Sequence, residues 1–134
     1  NGVSPDGDPP TEWSETKNVR FKVEVPGRAL SSPVVWGDRI FVTTAISGAG
    51  DDTVRTGLYG DTTPVDDLSP HSFRVYALDK ASGEVLWERQ LYEREPLTKR
   101  HTKSSQANST PAVDGEHLVG GERSGHDPLD RVER

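Results

Sequence analysis

Residues 19 to 25 read VRFKVEV, with Val19, Phe21, Val23 and Val25 separated by charged neighbours. A period of two is that of a half-buried strand, and Pro26-Gly27 ends it. The stretch SSPVVWGDRIFVTTA divides into two further strands, with Gly37-Asp38 between them as a two-residue hairpin loop. FRVYALD and EVLWERQL repeat the pattern around KASG, and STPAVDGEHLV returns to it a third time. These patterns predict antiparallel strands over 19–25, 32–36, 39–45, 73–78, 85–91 and 111–119, and no helix longer than two turns. Residues 1–17 read as an extended lead-in, and the tail over 120–134 has no strand period, so an irregular or truncated end is expected there.

Two segments interrupt the pattern. Residues 47–72 are a long polar insertion with Asp51, Asp52, Asp61, Asp66 and Asp67, and residues 92–106 form a second one with Arg94, Lys99, Arg100, His101 and Lys103. A loop of the first length is unusual inside a compact domain and signals function or mobility. For both, a solvated loop is the expected state; an anion or a partner is the alternative occupant of the basic one.

The strands repeat. VRFKVEV aligns with VLWERQL 66 residues later, pairing Val19 with Val85, Phe21 with Trp87 and Val25 with Leu91. SPVVWGDRIFV aligns with TPAVDGEHLV 78 residues later, pairing Pro33 with Pro111, Gly37 with Gly115 and Ile40 with Leu118. The unit is constant while its insertions vary, and it contains four antiparallel strands, as a propeller blade does. Within it, Phe73, Val75 and Ala77 fill one face of an inner strand. Asp79 accepts backbone N–H bonds from the turn it begins. Gly83 supplies a positive φ, and Val85, Trp87 and Leu91 point to one side of the next strand. A Trp there suits the gap between stacked blades, where it buries roughly 150–250 Å².

Composition agrees with many short strands. Hydrophobic residues make up 31% of the 134, beside 13 Gly and 10 Pro, a turn-rich and core-poor balance. A net charge of -6 argues against nucleic acid or an anionic membrane as the main partner. No apolar run approaches the roughly 18 residues of a membrane span. With no Cys, disulfides, thiolate nucleophiles and zinc-thiolate sites are excluded.

Ala77-x-Asp79-x-x-Ser82-Gly83-Glu84-x-x-Trp87 resembles the repeat of the PQQ-like (quinoprotein) β-propellers, A-x-D-x-x-T-G-x-x-x-W, with Ser in place of Thr. The resemblance covers residues 1–119. It implies an all-β fold of antiparallel blades, an extracytoplasmic bacterial location, and Ala77, Asp79, Ser82, Gly83 and Trp87 as the structural repeat motif. Such propellers have about seven or eight blades, so fewer than two in this chain mark it as an N-terminal fragment. Members include quinoprotein dehydrogenases, which hold PQQ and Ca²⁺ on the propeller axis, and assembly lipoproteins of the BamB type. Two readings follow: a non-catalytic scaffold binding protein partners through its loops, and part of a quinoprotein oxidoreductase, with PQQ and calcium as cofactors only in the second. Whether the chain serves an enzyme stays open, since a shared fold does not fix chemistry.

No catalytic, cofactor-binding or metal-binding residue is assigned from the sequence. His71, His101, His117 and His126 lack metal-ligand spacing, and the acidic insertion lacks a D-x-D-x-D-G series with a distal Glu. Gly48-x-Gly50 has neither the third Gly nor the strand-to-helix setting of a dinucleotide site. Ser, His and Asp scatter through the loops without a nucleophile elbow. Trp87 as a cofactor-stacking platform yields to Trp87 as blade packing, and the sequon Asn108-Ser109-Thr110 carries little weight in a bacterial-type chain.

Overall fold

A computed structural model describes residues 7–50, 63–120 and 130–133 of the chain. Seven strands form in order: β1 (Val34–Trp36), β2 (Arg39–Ser47), β3 (His71–Asp79), β4 (Val85–Arg94), β5 (Ala112–Val113), β6 (His117–Gly120) and β7 (Asp130–Glu133). No helix occurs among the described residues. Strands β1 to β4 make a four-stranded meander in sequence order, and β5 to β7 a three-stranded one. All pairings are antiparallel. The fold is therefore all-β and propeller-like, with one four-stranded blade and a second sheet beside it, unclosed as a ring.

Register explains which side chains meet. Phe41 lies opposite Ala77, Thr43 opposite Val75 and Ala45 opposite Phe73, so these residues share one face of the first sheet. Phe41, Val75 and Ala77 on that face, with Leu118 of β6, form a fully buried cluster, and Trp87, Leu91 and Val113 pack against it. Trp87 meets Phe41 in a tilted contact with ring centroids 6.0 Å apart. A second cluster joins Ala45 and Phe73 to Ala107, where Tyr92 stacks on Phe73 at 4.6 Å. The core is thus the gap between the two sheets.

The strand ends differ in kind. At one end the turns are tight. Trp36 pairs with Arg39 around Gly37, whose φ of 61° suits a hairpin loop with Gly at its first position. Lys80 ties this turn to the next one, its N–H donating to Asp38 O at 2.8 Å and its Nζ to Gly37 O at 3.0 Å. At the opposite end, β2 and β4, both antiparallel to β3, finish together and release the two long insertions.

Four expectations need correction. Residues 19–25 belong to no sheet. Phe21, Val23 and Val25 are half-buried while Lys22 and Glu24 are exposed, so the period of two is real. No described strand lies beside them to complete a ladder, and an extended segment without a partner is not a sheet strand. The Phe21 ring instead covers the Gly83 turn, where a Cβ would come within 2.5 Å of it. Residues 32 and 33 likewise precede β1 instead of belonging to it. In β4, register shifts leave Leu86 and Leu91 as extra residues, and the first puts Val85 opposite Leu78, on the face away from Trp87. Finally, residues 130–133 of the tail pair with β6, Leu118 opposite Val132, where no strand was expected.

Candidate functional site

The repeat motif builds the turn between β3 and β4. Oδ1 of Asp79 accepts from the N–H groups of Ala81 (2.9 Å) and Ser82 (2.7 Å) and from the Ser82 hydroxyl (2.9 Å). The Gly83 N–H donates to Asp79 O at 2.8 Å, and Gly83 takes a φ of 79°. Those bonds hold the Asp79 carboxyl below the usual carboxylate range. Ala77 is fully buried beneath and Trp87 packs against the intersheet cluster. The same device recurs between β5 and β6, where Asp114 Oδ1 accepts from Glu116 N–H at 2.8 Å and His117 N–H at 2.6 Å. These bonds lower its pKa to about 2. Every polar group named here is used in closing a turn.

The loop end is chemically richer. The two insertions, expected as solvated loops, dock on one another in their described parts. Val65 N–H donates to Arg100 O at 2.9 Å, Pro64 bridges to His101, and Lys99 forms an ion pair with Asp66. Arg100 is 3% exposed and Asp67 5%, so the acidic and basic insertions each contribute a buried charge. Each buried charge has polar partners within reach, the Ser47 and Ser69 hydroxyls for Asp67 and Ser104 O for Arg100, while the ion pair across the seam joins the more exposed Lys99 and Asp66.

Asp67 is the hub. Its Oδ2 accepts from the Ser47 hydroxyl at 2.6 Å; its Oδ1 accepts from the Ser69 hydroxyl at 2.6 Å and the Ser69 N–H at 2.9 Å. Burial alone would raise the carboxyl's pKa. The two hydroxyls, the Ser69 N–H and nearby His71 outweigh that and hold it below the ordinary value. His71 Nδ1 lies 2.7 Å from Ser69 O, which can only accept, so Nδ1 carries a proton. Its Nε2 faces Asp67 Oδ2 at 3.7 Å. Ser, His and Asp therefore do come together, at Ser47, His71 and Asp67. The Ser47 proton is aimed at the carboxylate and not at the imidazole, so the nucleophile-to-base bond of a hydrolase is not formed.

On the other side of the seam, Asn108 Oδ1 accepts from Ser105 N–H (3.1 Å) and Oγ (2.8 Å), and Asn108 Nδ2 donates to Ser104 Oγ at 2.9 Å. The sequon asparagine is thus engaged in its own loop. Gln106 Nε2 reaches Thr98 O at 3.1 Å. Of the histidines singled out, His101 Nδ1 accepts from Lys103 N–H, and His117 sits against Asp114. His126, Asp51, Asp52 and Asp61 lie outside the described residues. Among the described residues no three His, Asp or Glu side chains converge as a metal site. Ser47, Ser69, Arg28, Ser105 and Gln106 were not picked out by sequence reasoning. Only Asp67-x-Ser69 carried a readable signal, the spacing of a side chain that bonds the backbone two residues on.

A family model described as outer membrane protein assembly factor BamB, of the PQQ-like repeat type, matches residues 6–126. No curated protein and no solved structure matches the chain.

Proposed function

The chain belongs to the family of the outer membrane protein assembly factor BamB, and on that premise we propose that it is a non-catalytic repeat scaffold working outside the cytoplasm. Its loop end would engage a protein partner. The observation that carries this reading is the use made of the reactive groups there. Asp67, Ser47, Ser69 and Asn108 bond one another or the backbone, so they hold the insertions in a fixed shape. Leu68 and Leu97, at 43% and 70% exposure, rise from the same insertions, and apolar contacts on a rigid polar frame suit a protein interface. The family name, an assembly factor, points the same way.

The oxidoreductase reading needs groups converging on a quinone from many blades, and the described residues form one four-stranded and one three-stranded sheet. A titration with PQQ and Ca²⁺, followed by tryptophan fluorescence or calorimetry, tests it. No saturable binding is expected. A dissociation constant below about 10 μM, roughly 7 kcal/mol, overturns the scaffold reading.

A further inference from the structure

Two parts of the chain are incomplete in complementary ways. The sheet β5–β7 has three strands, and among the described residues none pairs with the outer edge of β7. Residues 19–25 are extended and alternate, yet belong to no sheet. They align with residues 85–91, the part of β4 that makes the fourth strand of the first sheet. The repeat thus shows three strands without the fourth in β5–β7, and the fourth without the other three in residues 19–25.

Register sharpens the match. One row of the first sheet runs Val35, Ile40, Leu78, Val85 across β1 to β4. The equivalent row of the second runs Val113, Leu118, Val132, and the repeat puts Val19 in its fourth place. Tyr76 lies opposite Glu88 in the first sheet. The same offset sets Lys22 opposite Asp130, a basic position against an acidic one. The two strands cannot meet within one copy. Phe21 lies over the Gly83 turn and Gly27 against the Ile46 side chain. Ile46 alternates with Phe41 and Ala45, so it points away from Leu118 and the second sheet. The first sheet therefore stands between residues 19–25 and β7. That is two sheet spacings, roughly 20 Å, where ladder strands are roughly 5 Å apart. On the same far face Val35 and Val85 stay 54% and 42% exposed. Their counterparts in the second sheet, Val113 and Leu118, are the residues that pack against the first.

We propose that residues 19–25 are the fourth strand for the β5–β7 sheet of a second copy, so that copies of this chain associate head to tail. The segment of one copy pairs with β7 of the next. The completed blade then stacks on the row Val35, Ile40 and Val85 of the first copy, as β5–β7 stacks on Phe41 and Trp87 within each chain. The strand and the edge that receives it are different surfaces, so the contact is heterologous and either closes into a ring or runs on as a filament. Each copy brings one whole blade and one shared blade, so a ring of about four to eight blades holds about two to four copies.

The test uses the full chain, which has no Cys of its own. Sedimentation velocity should show a mass that rises with concentration through whole multiples of the monomer. Val19→Cys combined with Val132→Cys should give a ladder of covalent oligomers under a mild oxidant. A mixture of the two single variants should stop at the dimer that joins them. Lys22→Glu should weaken association about fivefold, the effect of one cross-strand charge pair, and adding Asp130→Lys should restore it. A chain that stays monomeric at every concentration overturns the proposal and leaves the β7 edge to a strand of some other protein. Cross-linking of Val19→Cys to Leu97→Cys, at a residue 70% exposed on the second insertion, as readily as to Val132→Cys would mean unspecific aggregation and also overturn it. Where Val132→Cys does not fold, the charge exchange decides: restored association supports the pairing, and none refutes it.

Discussion

Replacing Asp67 by Asn keeps the shape of the side chain and removes its charge, which isolates what the carboxylate contributes to docking the first insertion. Three direct bonds converge on it, at 2.6, 2.6 and 2.9 Å, on a residue 5% exposed. Hydrogen bonds to a charged acceptor contribute about 1.5–3 kcal/mol each, against about 1 kcal/mol for neutral ones. The amide retains one oxygen for the Ser69 N–H, and its NH₂ can donate to Ser47 if that hydroxyl rotates. The loss is then mainly the charge assistance on two bonds, about 2 kcal/mol at neutral pH. The carboxyl titrates below its unfolded value of 3.8. Its contribution is therefore complete above that value and lost as pH falls through the folded pKa. Urea denaturation followed by tryptophan fluorescence, at pH 7 and near pH 3, should show wild type and Asp67→Asn about 2 kcal/mol apart in the first condition and converging in the second. Amide exchange at Val65, whose N–H bonds to Arg100 O, should quicken in the variant while that of Val75 changes less. A difference under about 0.5 kcal/mol, the noise of a surface substitution, or one independent of pH, would refute the argument that the carboxylate is the hub.

Three other outcomes are expected. Gly83→Ala should cost about 2–4 kcal/mol in chemical denaturation, because a φ of 79° is strained for Ala and its Cβ would meet the Phe21 ring at 2.5 Å. Gly37→Ala, with a φ of 61° and nothing within 4 Å, should cost only about 1–2 kcal/mol, and equal costs would contradict the Phe21 contact. Carbon-detected NMR titration should find the Asp114 carboxyl at about 2, its stabilising effect present above pH 3.8 and fading toward pH 2; an ordinary value would mean the Asp114 turn is open in solution. The isolated chain should melt broadly or aggregate, since Val85, Leu86 and Trp36 stay 42%, 46% and 43% exposed and sheet edges are uncovered. A sharp monomeric transition above about 60 °C, the upper range for mesophile domains, would contradict this.

Most of the blade was legible because its signals are local. The period of two, the Gly-Asp and Ser-Gly turns and the A-x-D spacing are each decided within a dozen residues, and they place β2, β3 and β4 within a few positions of their observed bounds. What failed depends on partners. Alternation at 19–25 reports a face that packs, and Phe21 does pack, on the Gly83 turn; ladder bonds need a second strand, which a period cannot supply. Val85 shows the same limit on a smaller scale. Two register shifts in β4 reset its faces, and neither involves a Gly or Pro that would announce a bulge.

The loop end was illegible for a different reason. Sequence reasoning treats a polar insertion as solvated because each charge, taken alone, is cheaper in water. That argument holds for either insertion and fails for the pair. Asp66 meets Lys99 of the other insertion, and Asp67 meets the Ser47 hydroxyl from 20 residues away; only its Ser69 partner is local. The pairing arises only because β2 and β4 run in the same direction and release their loops at one end. The topology that made the blade predictable is thus what brings the unpredicted charges together. It follows that exchanging the two charges of the seam, Asp66→Lys with Lys99→Asp, should restore loop protection that either single change removes. If the double variant exchanges as fast at Val65 as the singles do, the docking is a consequence of backbone geometry and not of charge, and the site loses its electrostatic rationale.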